Sequence, residues 1–265
     1  MPLAVQQVRR MRGGAQSHLM RCADENYYVV KFQNNPQGRR ILANELLGTR
    51  LAARLGLPVP PPAVVDVRED VIRHTDDLVM QLGRGRAPCQ AGRQFGSRYP
   101  GSPAETVVYD FLPEEQLRAT RNLADFCGML ALDKWACNTN GRQAIFFRPR
   151  GEETYQAQMV DQGFFFNACE WNFPDAPLRG LYARHRVYES VRGMESFEPW
   201  VTRIEEKIDE AVLEELAAEI PPEWYEFDLD ALERMLEQLL RRRSRVRELI
   251  LSAWKSTAQP FPHWK

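Results

Sequence analysis

Short apolar runs separated by glycine, proline and polar turns fill the first third of the chain. Ala4 to Arg10 and His18 to Cys22 flank Gly13-Gly14-Ala15-Gln16-Ser17, and the Val- and Tyr-rich run Tyr27 to Phe32 follows the polar turn Asp24-Glu25-Asn26. This pattern predicts three antiparallel strands. Between Arg39 and Leu55 the apolar residues Leu42, Leu46 and Ala53 recur at helical spacing, and Gly56 followed by Pro58 supplies a stop signal. Beyond the prolines of 58–62, Val64 to Val67 and Asp77 to Leu82 read as two more strands. Gly83-Arg84-Gly85-Arg86-Ala87-Pro88 then shifts composition as a hinge does, which places a β-rich unit at residues 1–83 and a second unit at 84–265. The second unit reads as mainly helical, with helices expected over Arg118 to Ala136, Phe197 to Ile220 and Leu229 to Trp254. One β-hairpin interrupts it: Ala144 to Arg148 and Tyr155 to Val160, joined by the turn Pro149 to Glu153 and followed at once by Asp161-Gln162-Gly163. The fold class is α+β.

Composition narrows the picture. A hydrophobic share of 44% excludes a disordered chain, and 265 residues at about 150 per domain suit two units with cores of their own. The 35 Lys and Arg residues balance 36 Asp and Glu, so the surface as a whole is not built for nucleic acid and no direct nucleic-acid binding is expected. The longest uncharged stretch, Leu55 to Val65, is shorter than the ~18 residues a bilayer span needs. Five cysteines without a Cys-x-x-Cys pair fit reduced thiols. These features lead us to expect a soluble cytoplasmic protein. The four histidines show no metal-ligand spacing, and Phe126 and Trp135 read as core. Arg241-Arg242-Arg243, with Arg245 and Arg247, reads as a solvated helix face paired with acidic neighbours.

Candidate chemistry begins at Lys31. A strand ending in a lysine, preceded by a glycine-bearing hairpin and followed by a helix with Glu45, is the arrangement by which protein kinases hold ATP phosphates. The Gly13-Gly14 turn admits close approach of an anion to backbone N–H groups, and equally serves as an ordinary hairpin turn. Met80-Gln81-Leu82 sits where backbone groups of a hinge could meet adenine.

The stretch Leu132-Asp133-Lys134-Trp135-Ala136-Cys137-Asn138-Thr139-Asn140-Gly141-Arg142-Gln143, followed by the hairpin and Asp161-Gln162-Gly163, resembles the HipA family of kinases. In that family a loop of the type Asn-x-Asp-x-His-x-x-Asn precedes a hairpin and a magnesium-holding Asp. Gly13 to Ser17 looks like the family's phosphate loop, and Asn44-Glu45-Leu46 in a helix running out into Leu57-Pro58-Val59-Pro60 is also family-like, so the resemblance spans Gly13 to Gly163. It implies a two-lobed protein-kinase-like fold, ATP and Mg2+ as cofactors, a serine or threonine of a protein as acceptor, and a toxin paired with an antitoxin protein as one biological setting. Lys31 and Glu45 would position phosphates, Asp161 would hold Mg2+, and Gln143 or Asn138 would complete its shell.

The chain departs from the family at the catalytic loop. Asn140 stands where the family has its catalytic Asp, and Arg142 where it has His. The second metal-binding Asn falls on Ile145 without a gap, or on Gln143 with a gap of two. An amide is far weaker than a carboxylate as a base, so Asn140 removes general-base help, and Asp133 is the substitute to consider. Two other functions fit the same features: a pseudokinase that binds nucleotide or a partner without transfer, and a small-molecule kinase.

Overall fold

The computed structural model describes residues 1–265. The three expected strands form as β1 (Ala4–Arg10), β2 (His18–Cys22) and β3 (Tyr27–Lys31), an antiparallel meander. The chain continues through α1 (Arg40–Arg54), β4 (Pro62–Val67), α2 (Glu69–Arg73), β5 (Val79–Leu82), β6 (Gly85–Pro88) and β7 (Gly92–Arg98). The five-stranded sheet has the order β1-β2-β3-β7-β4. Because β7 sits between β3 and β4, the sheet extends to Arg98, and a boundary after Leu82 falls inside this unit. The stretch expected as a hinge is instead the turn and second strand of a β5-β6 hairpin, closed where Gly83 takes φ +61°.

The second unit holds β8 (Val108–Tyr109), α3 (Glu114–Arg118), α4 (Asp125–Trp135), β9 (Gln143–Phe147) and β10 (Gln156–Val160). Its remaining helices are α5 (Glu198–Lys207), α6 (Glu210–Ala217), α7 (Leu229–Arg241) and α8 (Val246–Trp254). The hairpin β9-β10 forms as expected and gains β8 as a third strand. The helix expected from Arg118 begins later, as α4 at Asp125, after a turn at residues 119–124, and the two longer expected helices are each broken once. Ile208 turns extended, after which the Asp209 carboxylate accepts the Val212 N–H and starts α6 afresh, and a tight turn at Arg242–Arg245 divides α7 from α8.

Two apolar clusters hold the molecule together. The smaller lies in the sheet unit and includes Met20, Val30, Phe32, Val65 and Met80. The larger joins Leu42, Leu46, Leu51 and Leu55 of α1 to Phe126, Trp135, Phe146 and Phe165 of the helical unit, so α1 is packed as part of the latter. Polar links reinforce this side: Arg50 pairs with Glu219 at 2.8 Å, Arg93 with Glu223 at 2.5 Å, and the Arg203 guanidinium donates to the Leu55 carbonyl at 2.8 Å. Most of the basic run is paired with acids as expected, with Arg241 on Glu237, Arg242 on Asp175, Arg245 on Asp175 and Glu248, and Arg247 on Glu198 and Glu205. The face is not wholly solvated, since Arg242 is buried and Arg243 donates to the Leu240, Glu205 and Ile208 carbonyls instead of an acid. All five cysteines are free thiols, and no helix is long and apolar enough to cross a membrane.

Candidate active site

The end of β3, the middle of α1 and the end of β10 converge on one ion cluster. The Lys31 ammonium donates to Glu45 Oε1 and, at 2.5 Å, to Asp161 Oδ1, which brings together residues 130 positions apart. Glu45 also accepts the backbone N–H groups of Gln162 (3.0 Å) and Gly163 (2.9 Å), so one carboxylate ties α1 to the turn that carries Asp161. The approach is close enough to demand glycine on both sides. A Cβ on Gly163 would stand 2.6 Å from Ile41, and one on Gly48 would stand 2.7 Å from the Phe165 ring. Asp161 itself adopts φ +64°, a strained left-handed conformation for a residue with a side chain.

The charges stay in place by mutual support. Burial pushes the Asp161 carboxyl upward, but the Lys31 ammonium more than reverses this and leaves it below the ordinary carboxylate value. Burial likewise works against the Lys31 charge and is outweighed by Asp161 and Glu45, so this lysine titrates above its usual range. Glu45 is raised by burial and by the nearby Asp161 charge, against the pull of Lys31.

Gln143 is brought to the same place. Its side-chain Nε2 donates to Asp161 Oδ2 at 2.6 Å, so a metal at this point would need the amide turned to present its oxygen; Asp161 remains partly open and Gln143 is exposed. A carboxylate and an amide are hard oxygen donors that suit a magnesium ion keeping most of its own water and phosphate ligands. No group of three or more His, Cys, Asp or Glu side chains forms a cage anywhere in the molecule. Asn138 does not join it. That side chain is buried, with Nδ2 donating to Asp133 Oδ1 at 2.9 Å and Oδ1 accepting the Asn140 N–H at 3.0 Å, so both its ends are consumed inside the loop.

Asn140 is exposed at the apex of that loop, and its carbonyl accepts the Gly180 N–H at 2.9 Å. The loop abuts the Asp161 segment, with the Thr139 N–H on the Phe164 carbonyl and the Arg142 guanidinium on the Val160 carbonyl at 2.9 Å. Asp133 is no substitute base. It is fully buried, and Arg142 grips it with Nε on Oδ2 and Nη2 on Oδ1, both at 3.0 Å. Arg142 as the anchor of this loop escaped the sequence reading, because its partner lies nine residues away across a chain reversal that neither residue announces.

The β1-β2 turn leaves several backbone donors open. Gly13 takes φ +118°, and the N–H groups of Gly13, Gly14 and Ala15 donate to no protein acceptor. Ala15 and Ser17 are buried beneath the turn. The Gln16 side chain points elsewhere: it accepts the Gln81 N–H at 2.7 Å and donates to the Gln81 carbonyl at 2.8 Å. Both backbone groups of Gln81 are thus occupied, and Met80 is sealed in the smaller core, so Met80-Gln81-Leu82 cannot serve as an adenine-binding hinge. The strand that leaves the sheet toward the helical unit is β7, and the connection begins at Tyr99.

A model of HipA-like kinases matches residues 5–144, more than half of the chain. Among solved structures, the proinflammatory kinase CtkA of Helicobacter pylori aligns over 96% of this chain and 97% of its own with a TM-score of 0.57 and 13% identity. The Golgi casein kinase aligns over 96% of this chain and 74% of its own with a TM-score of 0.58 and 12% identity, and its form with Mn and ADP bound aligns equally. At such identities the likeness is one of fold, the two-lobed kinase fold. A search of curated protein sequences returned no match. With the family match covering most of the sheet unit and the catalytic-type loop, the chain belongs to the HipA-like kinase family.

Proposed function

We propose that the protein transfers the terminal phosphoryl group of ATP, with Mg2+, to a serine or threonine hydroxyl of a protein, at a rate reduced by Asn140. The observation that carries this reading is the meeting of Lys31, Glu45 and Asp161 from three elements in two units. An ammonium has three donors, and Lys31 uses two here, which leaves one for a phosphate oxygen while Glu45 keeps the side chain aimed. The free N–H groups of Gly13 to Ala15 would hold further phosphate oxygens. Asp161 and Gln143 would hold magnesium, which supplies neutralisation of the charge that develops on the transferred group. In the transfer, the acceptor oxygen bonds to phosphorus as the bond to the leaving ADP oxygen breaks, and the hydroxyl proton must depart. Asn140 Oδ1 already accepts the Gly141 N–H at 2.9 Å; its second lone pair can accept a hydrogen bond from that hydroxyl but the amide cannot take its proton, so the proton goes to solvent or to the phosphate. Family membership supports the protein acceptor, with an antitoxin-like protein as the partner that would restrain the activity.

Asn140 also favours a second reading, a nucleotide-binding pseudokinase. Thermal unfolding with and without Mg-ATP tests both at once. At a ligand concentration 100 times Kd the folded state gains about 2.7 kcal/mol, and Lys31→Ala should abolish most of the resulting rise in Tm. Absence of a rise in the wild type, together with absence of calorimetric binding, would overturn both readings. Binding with no labelled phosphate reaching the chain itself, lysate proteins or water would leave the pseudokinase.

A further inference from the structure

Asn44 precedes Glu45 on α1 and is fully buried. Its Nδ2 lies within hydrogen-bond distance of the carbonyls of Gly163 (2.8 Å), Phe165 (3.0 Å) and Ala168 (2.8 Å), which share its two hydrogens, and its Oδ1 accepts the Trp171 indole N–H at 2.8 Å. One amide therefore holds four groups of the segment that follows Asp161. Adjacent residues of α1 divide the work: Glu45 takes N–H groups at 162 and 163, and Asn44 takes carbonyls from 163 onward.

That segment needs external support. Asp161, Phe166, Asn167, Ala168 and Trp171 all have φ between +51° and +64°, a region that is unfavourable for residues with a side chain. A run with so many left-handed residues does not hold its shape by local preference. Removing the Asn44 amide would also leave the Gly163 and Ala168 carbonyls unpaired, while the Phe165 carbonyl keeps the Ala168 N–H; a rearranged segment would avoid that cost. The rearrangement would move the backbone on which the Asp161 carboxylate is mounted.

Resting on the proposed function, we infer that Asn44 is a positioning residue for divalent-metal binding at Asp161, acting through the backbone of residues 163–171 and touching neither the carboxylate nor Lys31. The test is Asn44→Asp, which keeps the size of the side chain but points a carboxylate oxygen at three carbonyls. Affinity for ADP is measured calorimetrically in Mg2+ and in EDTA, and amide hydrogen exchange is followed at Gln162 and Gly163. The expected result is a loss of at least about tenfold in Mg2+, the scale on which outer partners of metal ligands act. Metal-free affinity should stay close to the wild-type value, and the two amides should exchange faster. Equal affinity to wild type in Mg2+, or equal loss in both buffers, would overturn the inference and leave the proposed function standing. A wild-type chain that binds no nucleotide in either buffer would overturn the proposed function and this inference with it. Should Asn44→Asp fail to fold, Trp171→Phe decides: it removes one of the four bonds and keeps an aromatic ring beneath Arg40, now 4.5 Å above the indole. A smaller loss confined to Mg2+ supports the role of Asn44, and an unchanged Mg2+ dependence overturns it.

Discussion

Replacing Arg142 by Met is the most demanding perturbation the catalytic-type loop offers, because its partner cannot escape to water. Both side chains of the Arg142 and Asp133 pair are 0% exposed. The substitution removes two donors from Asp133 and leaves only the Asn138 amide at 2.9 Å, while the Val160 carbonyl loses its guanidinium partner. Breaking a buried pair on one side costs about 3–5 kcal/mol, because the surviving charge stays desolvated. For a chain of this size each kcal/mol lowers Tm by about 2–4 °C, so a fall of about 6–20 °C is expected. Removing both charges is a different matter. Asp133→Leu combined with Arg142→Met should recover most of the loss, since well-packed apolar residues commonly replace a buried pair at little or no cost. The stranded Asn138 amide and the Val160 carbonyl remain, at about 1 kcal/mol each. Urea unfolding of the wild type, both single variants and the double variant gives the coupling directly. Single losses below 1 kcal/mol, or a double variant as unstable as the sum of the singles, would refute the buried-pair account and reopen Asp133 as a titrating group.

His18 is buried against Phe32, Cys89 and Gln7, and burial, aided by the charge of Arg10, pushes its pKa down from 6.5 to about 4. Above pH 6.5 it is neutral folded and unfolded; below that the unfolded chain binds a proton that the folded chain refuses, so stability falls by roughly 1.4 kcal/mol per pH unit down to pH 4. Urea unfolding of His18→Gln beside the wild type should show a shallower decline over that window, and parallel curves would contradict it. Asn140→Asp should raise phosphate transfer from labelled ATP at least about tenfold with nucleotide affinity little changed, since general-base help is worth about 100-fold or more. No gain in a chain that already transfers efficiently would remove Asn140 from the list of causes.

The alternation of apolar and polar residues was legible in β1, β2, β3 and the β9-β10 hairpin, and not in β6 and β8, which are short and carry Gly and Pro or only two residues. It failed at β7, where Gly92 and Gly96 dilute the pattern and the strand pairs with distant neighbours on both sides. That one omission misplaced the unit boundary and the adenine hinge together, because β5 was taken for the strand that leaves the sheet. Lys31, Glu45, Gln143 and Asp161 were recognisable by type and order, and the structure brings them together. Asn138 misled for a chemical reason: the same short amide that suits a metal ion also suits a turn, and here the turn consumed it. The helices broke where Asp209 could cap a new start, a local option that apolar periodicity does not reveal.

The sharing of α1 between the two units has a mechanical consequence. A helix whose leucines are sunk in the larger core and whose arginines are tethered to Glu219 and the residues around it cannot swing as a free lever. Glu45 is thus a fixed post, and whatever opening admits a nucleotide must come from the strands, with β3 carrying Lys31 toward or away from it. In unfolding, the same division predicts that β1, β2 and the β5-β6 hairpin with their small core fray first, while β7 stays tied to the helices through Phe95 and the Arg93 and Glu223 pair. Substitutions on the buried side of α1 would then register first as loss of the whole fold, and substitutions in the strands as a loosened grip on the ligand in an otherwise intact molecule.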